Sequence, residues 1–448
     1  MLRRLHISAR IALLAALYCL GAFAQDKYFV KVTGDVNGIA RRHDLTVVRS
    51  LTGFASGYHV LSSRGANPQT VLHNLSTESA VNSAEAEKAV RLPGIHPGSS
   101  IHPSCASSGV HFSSTLIRYY NSYAASAYVN QPATDVINMD RAHTLATGQG
   151  VVATIDTGAD FTHPVLKGSL VNGWDFVHNA PSGQELADLN QETTPILEEQ
   201  GPPPVDQETT PILEGGTAIV LTQETTPILE QETTPILEGK KYPAYGHGTM
   251  VAGLIHLVAP DAKIMPLRAF GADGSATISQ IVEAIGYAVD HGAGVINMSF
   301  SVKQQSNALD AAIDDAVRHG VICVASAGND NQANAQVWPA AYDNVIGVAA
   351  TDNSMIRASF SNYGSSLVTL AAPGVGVITT YPMGHYAQVW GTSFSAPFVS
   401  GAASLLLDRN SRTNETIAAA DLSNATPIRQ ELGAGELDLY RACLAARR

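Results

Sequence analysis

Cysteine is scarce in this chain, and the scarcity excludes several classes. The sequence holds four cysteines. Cys19 falls in an apolar leader, and Cys105, Cys323 and Cys443 form an odd set that leaves at least one thiol without an intramolecular partner. A small disulfide-stapled scaffold is therefore excluded, and no two cysteines have zinc-ligand spacing. His96, His102 and Cys105 lie close together, but in a Pro/Ser/Gly-rich run that reads as a linker. Cys323 reads as a small buried hydrophobe. Cys105 and Cys443 are the pair that an oxidising compartment would find, and spacing alone does not decide whether they join. Basic charge is also short. The formal charge is −12, and residues 191–238 supply −10 of it through nine Glu, one Asp and no Lys or Arg. The rest sums to −2, which gives a nucleic-acid partner no electrostatic footing.

Long apolar runs are missing as well, apart from Ile11 to Leu20. Preceded by Arg3, Arg4 and Arg10 and followed by Ala22-Phe23-Ala24, that run reads as a secretory signal over residues 1–24. It falls short of the ~20 residues that span a bilayer. The expectation is release to the extracellular space or periplasm, with no membrane partner after cleavage.

What is present is an ordered alternation. Residues 25–92 read as β-α-β-β-α-β, a small α+β unit. Residues 93–127 read as a linker. From residue 128 to 448, apolar strands alternate with amphipathic helices, the pattern of an α/β domain with a doubly wound parallel sheet flanked by helices. This domain is interrupted at 191–238, where Gln-Glu-Thr-Thr-Pro-Ile-Leu-Glu occurs four times, from Gln191, Gln207, Gln223 and Gln231. A proline in every copy prevents a long helix, and the array reads as a surface-loop insertion. A lid or an acidic docking arm is the functional alternative.

Chemistry collects in four stretches. Thr154-Ile155-Asp156-Thr157-Gly158 places a carboxylate at the end of a buried strand. Gly246-His247-Gly248-Thr249 opens a helix with a histidine between glycines. Ala327-Gly328-Asn329 offers a side-chain amide after another strand. Gly391-Thr392-Ser393 leads into an apolar helix and continues to Ser395-Ala396-Pro397. Alone, Thr392 or Ser393 reads as a helix cap. Together, the four stretches hold what a serine nucleophile needs: a base, a carboxylate to orient the base, and donors for an oxyanion.

In the order Asp156, His247, Ser393, with their flanking glycines, these motifs resemble the subtilisin-like serine proteases over about residues 128–440. The resemblance implies an Asp/His/Ser triad, Asn329 in the oxyanion hole, and polypeptide substrates held by Ser299, Phe300 and Ser301, opposite Leu267 to Gly274. It also implies that the N-terminal unit is a propeptide acting as chaperone and intramolecular inhibitor. Ser301 stands where the family usually has glycine, which implies a shallower pocket. Val165 stands where many members have a calcium-binding aspartate, and the stretch Met250 to Pro260 lacks the accompanying loop. That calcium site is expected to be absent, with no cofactor for the chemistry itself and a monomeric chain. Two other functions compete. Asp156-Thr157-Gly158 also matches aspartic proteases, but those need a second such triplet and an all-β body. A subtilase fold kept as a silenced binding protein is the other alternative, because the array lengthens the interval between Asp156 and His247.

Overall fold

The computed structural model describes residues 26–92, 115–186, 218–220, 244–428 and 431–446. The leader, Cys105, His96, His102, most of the linker and all but three residues of the array fall outside them. The chain divides into two compact units. The first comprises residues up to 52 together with 56–87; the second comprises 53–55 and everything from Lys88 onward.

The first unit follows the expected order: β1 (Lys27–Val32), α1 (Val36–Arg42), β2 (Thr46–Ser50), β3 (Tyr58–Ser62), α2 (Pro68–Ser76) and β4 (Val81–Ala86). Its sheet runs β2-β3-β1-β4, with β1 antiparallel to both neighbours. Alternate residues Tyr28, Val30 and Val32 turn to one face and pack on Ile39, Val71 and Leu75. Asn67 caps α2 through bonds from the Gln69 and Thr70 amides.

The second unit begins with β5 (Ala89–Arg91). Next comes a hairpin, β6 (Leu116–Tyr119) and β7 (Ser122–Ala125), which corrects the expected linker over 93–127. Tyr119, Ala124 and Ala125 are buried in the main core, and the Tyr119 hydroxyl donates to Leu257 O. Three short helices follow, α3 (Ser126–Val129), α4 (Pro132–Val136) and α5 (Met139–Ala142).

The main sheet and its helices then run β8 (Val151–Asp156), β9 (Gly173–Asp175), β10 (Ala180–Ser182), β11 (Ala218–Val220), α6 (His247–Val258), β12 (Lys263–Arg268), β13 (Ser275–Thr277), α7 (Ile278–Asp290), β14 (Val295–Met298), α8 (Asn307–Arg318), β15 (Ile322–Ser326), β16 (Ile346–Thr351) and β17 (Leu370–Pro373). The hairpin β18 (Val375–Tyr381) and β19 (His385–Trp390) leads into α9 (Thr392–Arg409), and α10 (Glu415–Leu422) and α11 (Leu439–Ala445) close the chain.

The eight-stranded sheet has the order β10-β9-β12-β8-β14-β15-β16-β17, parallel from β9 through β17 and antiparallel only at β10. Strands β8, β14, β15 and β16 are continuous buried runs, as expected when helices cover both faces. The chain leaves β8, returns as β12 on one side, and later crosses to β14 on the other. That reversal opens a crevice at the carboxyl end of β8, where open α/β sheets place their ligands.

Helix α6 is buried on every side. It is covered by the β18–β19 hairpin, where Thr379 and Thr380 donate their hydroxyls to Met250 O (2.6 Å) and Thr249 O (2.8 Å). Of the array, Ala218–Val220 pair in parallel with Tyr386–Gln388 of β19. Cys323 and Cys443 are buried free thiols, with burial pushing both up to about 12. Val165 is buried in the main core. No helix among the described residues is long and apolar enough to cross a membrane.

Two buried histidines each give this unit a contribution to stability that acid removes. His163 donates through Nε2 to His385 O (3.0 Å), and His256 Nδ1 pairs with Ser169 Oγ (3.0 Å). Burial pushes both rings down to about 4. The unfolded chain thus binds more protons than the folded one as pH falls from about 6.5 to 4, so the rings' contribution is present above that window and lost within it. The contribution is on the order of 3 kcal/mol per ring. Glu436, pushed up to about 8 by burial, works in the opposite sense and loses its contribution as pH rises. A difference measurement separates them. In urea titrations at pH 7 and pH 4, His256→Asn should lose less stability than wild type between the two pH values; equal losses would contradict the assignment.

Candidate active site

The site is built at the carboxyl ends of three adjacent strands. Asp156 is the last residue of β8 and fully buried. Its Oδ1 accepts from the Thr157 amide (2.7 Å), which fixes the carboxylate plane. His247 is the first residue of α6, and its Nδ1 lies 2.8 and 3.0 Å from the two Asp156 oxygens. The approach depends on glycine: a Cβ on Gly248 would stand 2.0 Å from Gly158 O, so only glycine lets the helix start against the Asp-Thr-Gly turn. Burial works against a charged His247 ring, but the Asp156 charge, the bond to it and the Glu185 charge outweigh that, and the ring sits above its ordinary value.

Ser393 lies in the first turn of α9 and is 2 % exposed. The capping expectation for Thr392 or Ser393 does not hold. Gly391 occupies the cap position, and neither hydroxyl bonds back to the helix's own first-turn amides as a cap would. Instead, the Thr392 hydroxyl and amide both donate to Asn329 Oδ1 (2.9 and 3.0 Å), while Gly328 N donates to the same hydroxyl (3.1 Å). With its oxygen held there, the Asn329 amide presents Nδ2 toward Gly391, 3.4 Å from where a Cβ on that glycine would sit. Gly391 adopts φ +145, which favours glycine and keeps the donor uncrowded. The first-turn N–H groups of α9 and the positive end of its dipole face the same space.

Proline at 397 explains the next contact. A proline inside a helix has no N–H for the carbonyl four residues back, here that of Ser393. That carbonyl accepts from the Ser299 hydroxyl instead (2.8 Å), and Ser299 in turn accepts from Asn297 Nδ2 (2.9 Å). The Ser299 side chain, expected to line the substrate cleft, is therefore committed to holding the start of α9. Phe300 is fully buried against Phe270, with ring centroids 5.3 Å apart. Ser301 is the member of the expected trio that meets an extended segment, bridging Arg91 in antiparallel fashion.

In this arrangement the Ser393 hydroxyl donates to Ser299 O (3.2 Å). Among the described residues His247 Nε2 has no hydrogen-bond partner. No hydrogen bond joins the Ser393 hydroxyl to that nitrogen here, and such bonds often tighten only with substrate bound.

The position occupied by β5 is consistent with a peptide cleft. β5 pairs antiparallel with β13, and Leu92 N donates to Gly274 O (3.0 Å), so residues 89–92 run between Ser275–Thr277 and Ser301. Val90 and Leu92 are buried while Ala89 and Arg91 face out, the alternation of an extended strand.

Residues 148–438 match the model of the subtilase family. This chain belongs to that family. The subtilase is 35% identical over 277 residues to the thermophilic serine proteinase of Bacillus sp. (strain AK1), covering 62% of this chain and 56% of the relative. It is 31% identical over 303 residues to thermitase of Thermoactinomyces vulgaris, covering 65% of this chain and 87% of thermitase. In fold, it is similar to fervidolysin from Fervidobacterium pennivorans, a keratinolytic enzyme related to subtilisin. The TM-score is 0.66 at 21% identity, over 95% of this chain and 62% of that one. The chain thus spans little more than half the length of the Bacillus proteinase.

One residue of this subtilase's site escaped sequence reasoning. Glu185 is buried behind Asp156 and His247 and touches the residues beside both. It precedes Gly246 by 61 residues and sits in Gly183-Gln184-Glu185-Leu186, which carries no motif. Its only sequence signal was an isolated acid in the segment leading into the array.

Proposed function

We propose that this chain is a secreted serine endopeptidase, made as a zymogen, that hydrolyses peptide bonds through an acyl-enzyme. The observation that carries this reading is the 2.8 Å approach of His247 to Asp156, across an interval that includes the octapeptide array, at the carboxyl end of the sheet's inner strands, where Ser393 and Asn329 also lie.

The chemistry follows from the placement. Ser393 Oγ attacks the substrate carbonyl carbon while His247 Nε2 takes its proton. Asp156 holds Nδ1–H, fixes the tautomer and stabilises the imidazolium. The carbonyl oxygen becomes an oxyanion beside Asn329 Nδ2 and the Ser393 N–H, where each donor contributes roughly 3–4 kcal/mol. His247 then returns the proton to the leaving amine, and the Ser393 ester is hydrolysed by water in the reverse sense. No metal takes part in these steps.

Extended polypeptides are the substrates, held by strand addition between Ser275–Thr277 and Ser301. The segment Ala89–Leu92, pairing there, supports the reading of the N-terminal unit as a propeptide whose tail blocks the cleft. An aspartic-protease reading has no support from a parallel α/β sheet. The silenced-fold alternative is disfavoured by the Asp156–His247 contact, since the array does not hold them apart.

Peptidase assays on the full chain and on a deletion of 191–238, with N-terminal sequencing of the secreted product, test the proposal. Both proteins should cleave peptides, and the mature chain should start within residues 93–115, ahead of the hairpin whose Tyr119, Ala124 and Ala125 are buried in the core. Activity that appears only after the deletion would favour the silenced fold.

A further inference from the structure

Helix α6 opens with Gly246-His247-Gly248-Thr249, has no side-chain cap of its own and no acid in its first turn. The missing anion comes from elsewhere in the chain. The Glu185 carboxylate receives four donors. The Thr157 hydroxyl (2.5 Å) and the Gly246 amide (2.8 Å) donate to Oε1; the Thr249 amide (3.1 Å) and the Thr249 hydroxyl donate to Oε2. The two hydroxyls are themselves fixed, since Thr157 Oγ1 accepts from Gly248 N (2.9 Å) and Thr249 Oγ1 from Asp160 N (2.9 Å). Thr157 directly follows Asp156, and Gly246 and Thr249 straddle His247. One buried carboxylate therefore spans the turn that carries the acid and the helix start that carries the base.

We propose that Glu185 is a positioning residue for the proton transfer, bracing His247 against Asp156. This inference rests on the triad reading above. A cap that served the helix alone would need only the α6 amides, as ordinary caps do. Glu185 instead uses Oε1 to join Thr157 to Gly246, and so sets the distance between the two catalytic side chains. The segment holding Glu185 is itself anchored, because Glu185 N donates to Ala159 O (3.1 Å) and Ala159 N to Gly183 O (3.0 Å). The array begins at Gln191, just beyond this brace. Burial pushes the Glu185 carboxyl up to about 7, against the pull of the Thr157 and Thr249 bonds, with Asp156 adding to the rise. His247, Tyr245 and Tyr381 are the other titratable groups that feel its charge.

Glu185→Gln tests the brace. It keeps the shape but turns one acceptor into a donor aimed at donors. With a chromogenic peptide that the wild-type chain cleaves, kcat should fall about 10- to 100-fold, the scale of a small misplacement of a catalytic group. KM should stay within about twofold, because the bond lost acts on the chemical step. The acid limb of the kcat/KM profile should move to lower pH to the extent that Glu185 is ionised there, because that charge holds the His247 ring up. A purely structural cap predicts a lower Tm with kcat of the folded fraction and the acid limb unchanged, and that result would overturn the proposal. If Glu185→Gln does not fold, Thr157→Val and Thr157→Ser carry the test. Valine should show the kcat loss and serine should recover most of it, whereas valine with wild-type kcat would overturn the brace. A wild-type chain without activity would instead overturn the triad reading itself.

Discussion

Ser393→Ala is expected to lower kcat by about 10⁶-fold, the cost typical of removing a nucleophile that acts as one unit with its base. KM for a cleaved peptide should change little, because substrate is held by the strands beside the cleft rather than by the hydroxyl. The fold should survive, since Ser393 Oγ makes a single bond, to Ser299 O at 3.2 Å. The carbonyl contacts that secure the start of α9 belong to the backbone and remain. Residual turnover should stay above that of water, because Asn329 and the helix amides still receive the oxyanion. A loss of only about tenfold would mean that Ser393 is not the nucleophile.

Asp156→Asn is expected to cost about 10⁴-fold in kcat with the fold retained. The reason lies in the donors around the carboxylate. Asp156 Oδ1 already accepts from the Thr157 amide, so the asparagine oxygen is drawn to that position. Its NH₂ then faces His247 Nδ1, which must become an acceptor. The proton moves to Nε2, the nitrogen that has to receive the serine proton, and the base is disabled by its tautomer. The loss should be relieved as pH rises only to the extent that hydroxide replaces the base. Stopped-flow or steady-state rates across pH 6–10, with Tm as a control for folding, check this; an Asn variant within about tenfold of wild type would remove Asp156 from the mechanism.

Much of the architecture was legible in the sequence where burial is continuous. Runs such as Val151 to Ile155 and Val295 to Met298 have no polar face, so strand length and flanking turns identified them. The helix from Thr277 was equally readable from its apolar residues at helical spacing, and the structure adds a capping box of Thr277 and Gln280 at its start. The hairpin 116–125 was not. Its strands are short and mix aromatic with polar residues, only Tyr119, Ala124 and Ala125 are buried, and Tyr119 is held by a bond to Leu257 O of α6 rather than by any periodicity of the strand. The same distinction applies to the site. Asp156, His247, Asn329 and Ser393 lie within local glycine motifs, which backbone sterics at each position demand. The occupation of the Ser299 hydroxyl was hidden because it depends on a proline four residues after Ser393, on a different element. Glu185 was hidden more deeply, since the need it meets, the helix start that carries His247 without an acid or cap of its own, exists only once the chain has folded.

The central claim is that Ser393 is a nucleophile activated by His247 and Asp156 at the carboxyl end of one sheet. The most direct test is to incubate the mature protein with a fluorophosphonate probe and map the adduct by peptide mass spectrometry. The account predicts one stoichiometric adduct, on Ser393, formed at a rate that collapses in Asp156→Asn. A correctly folded wild-type chain that takes no label at Ser393, or that labels on another residue, would contradict it.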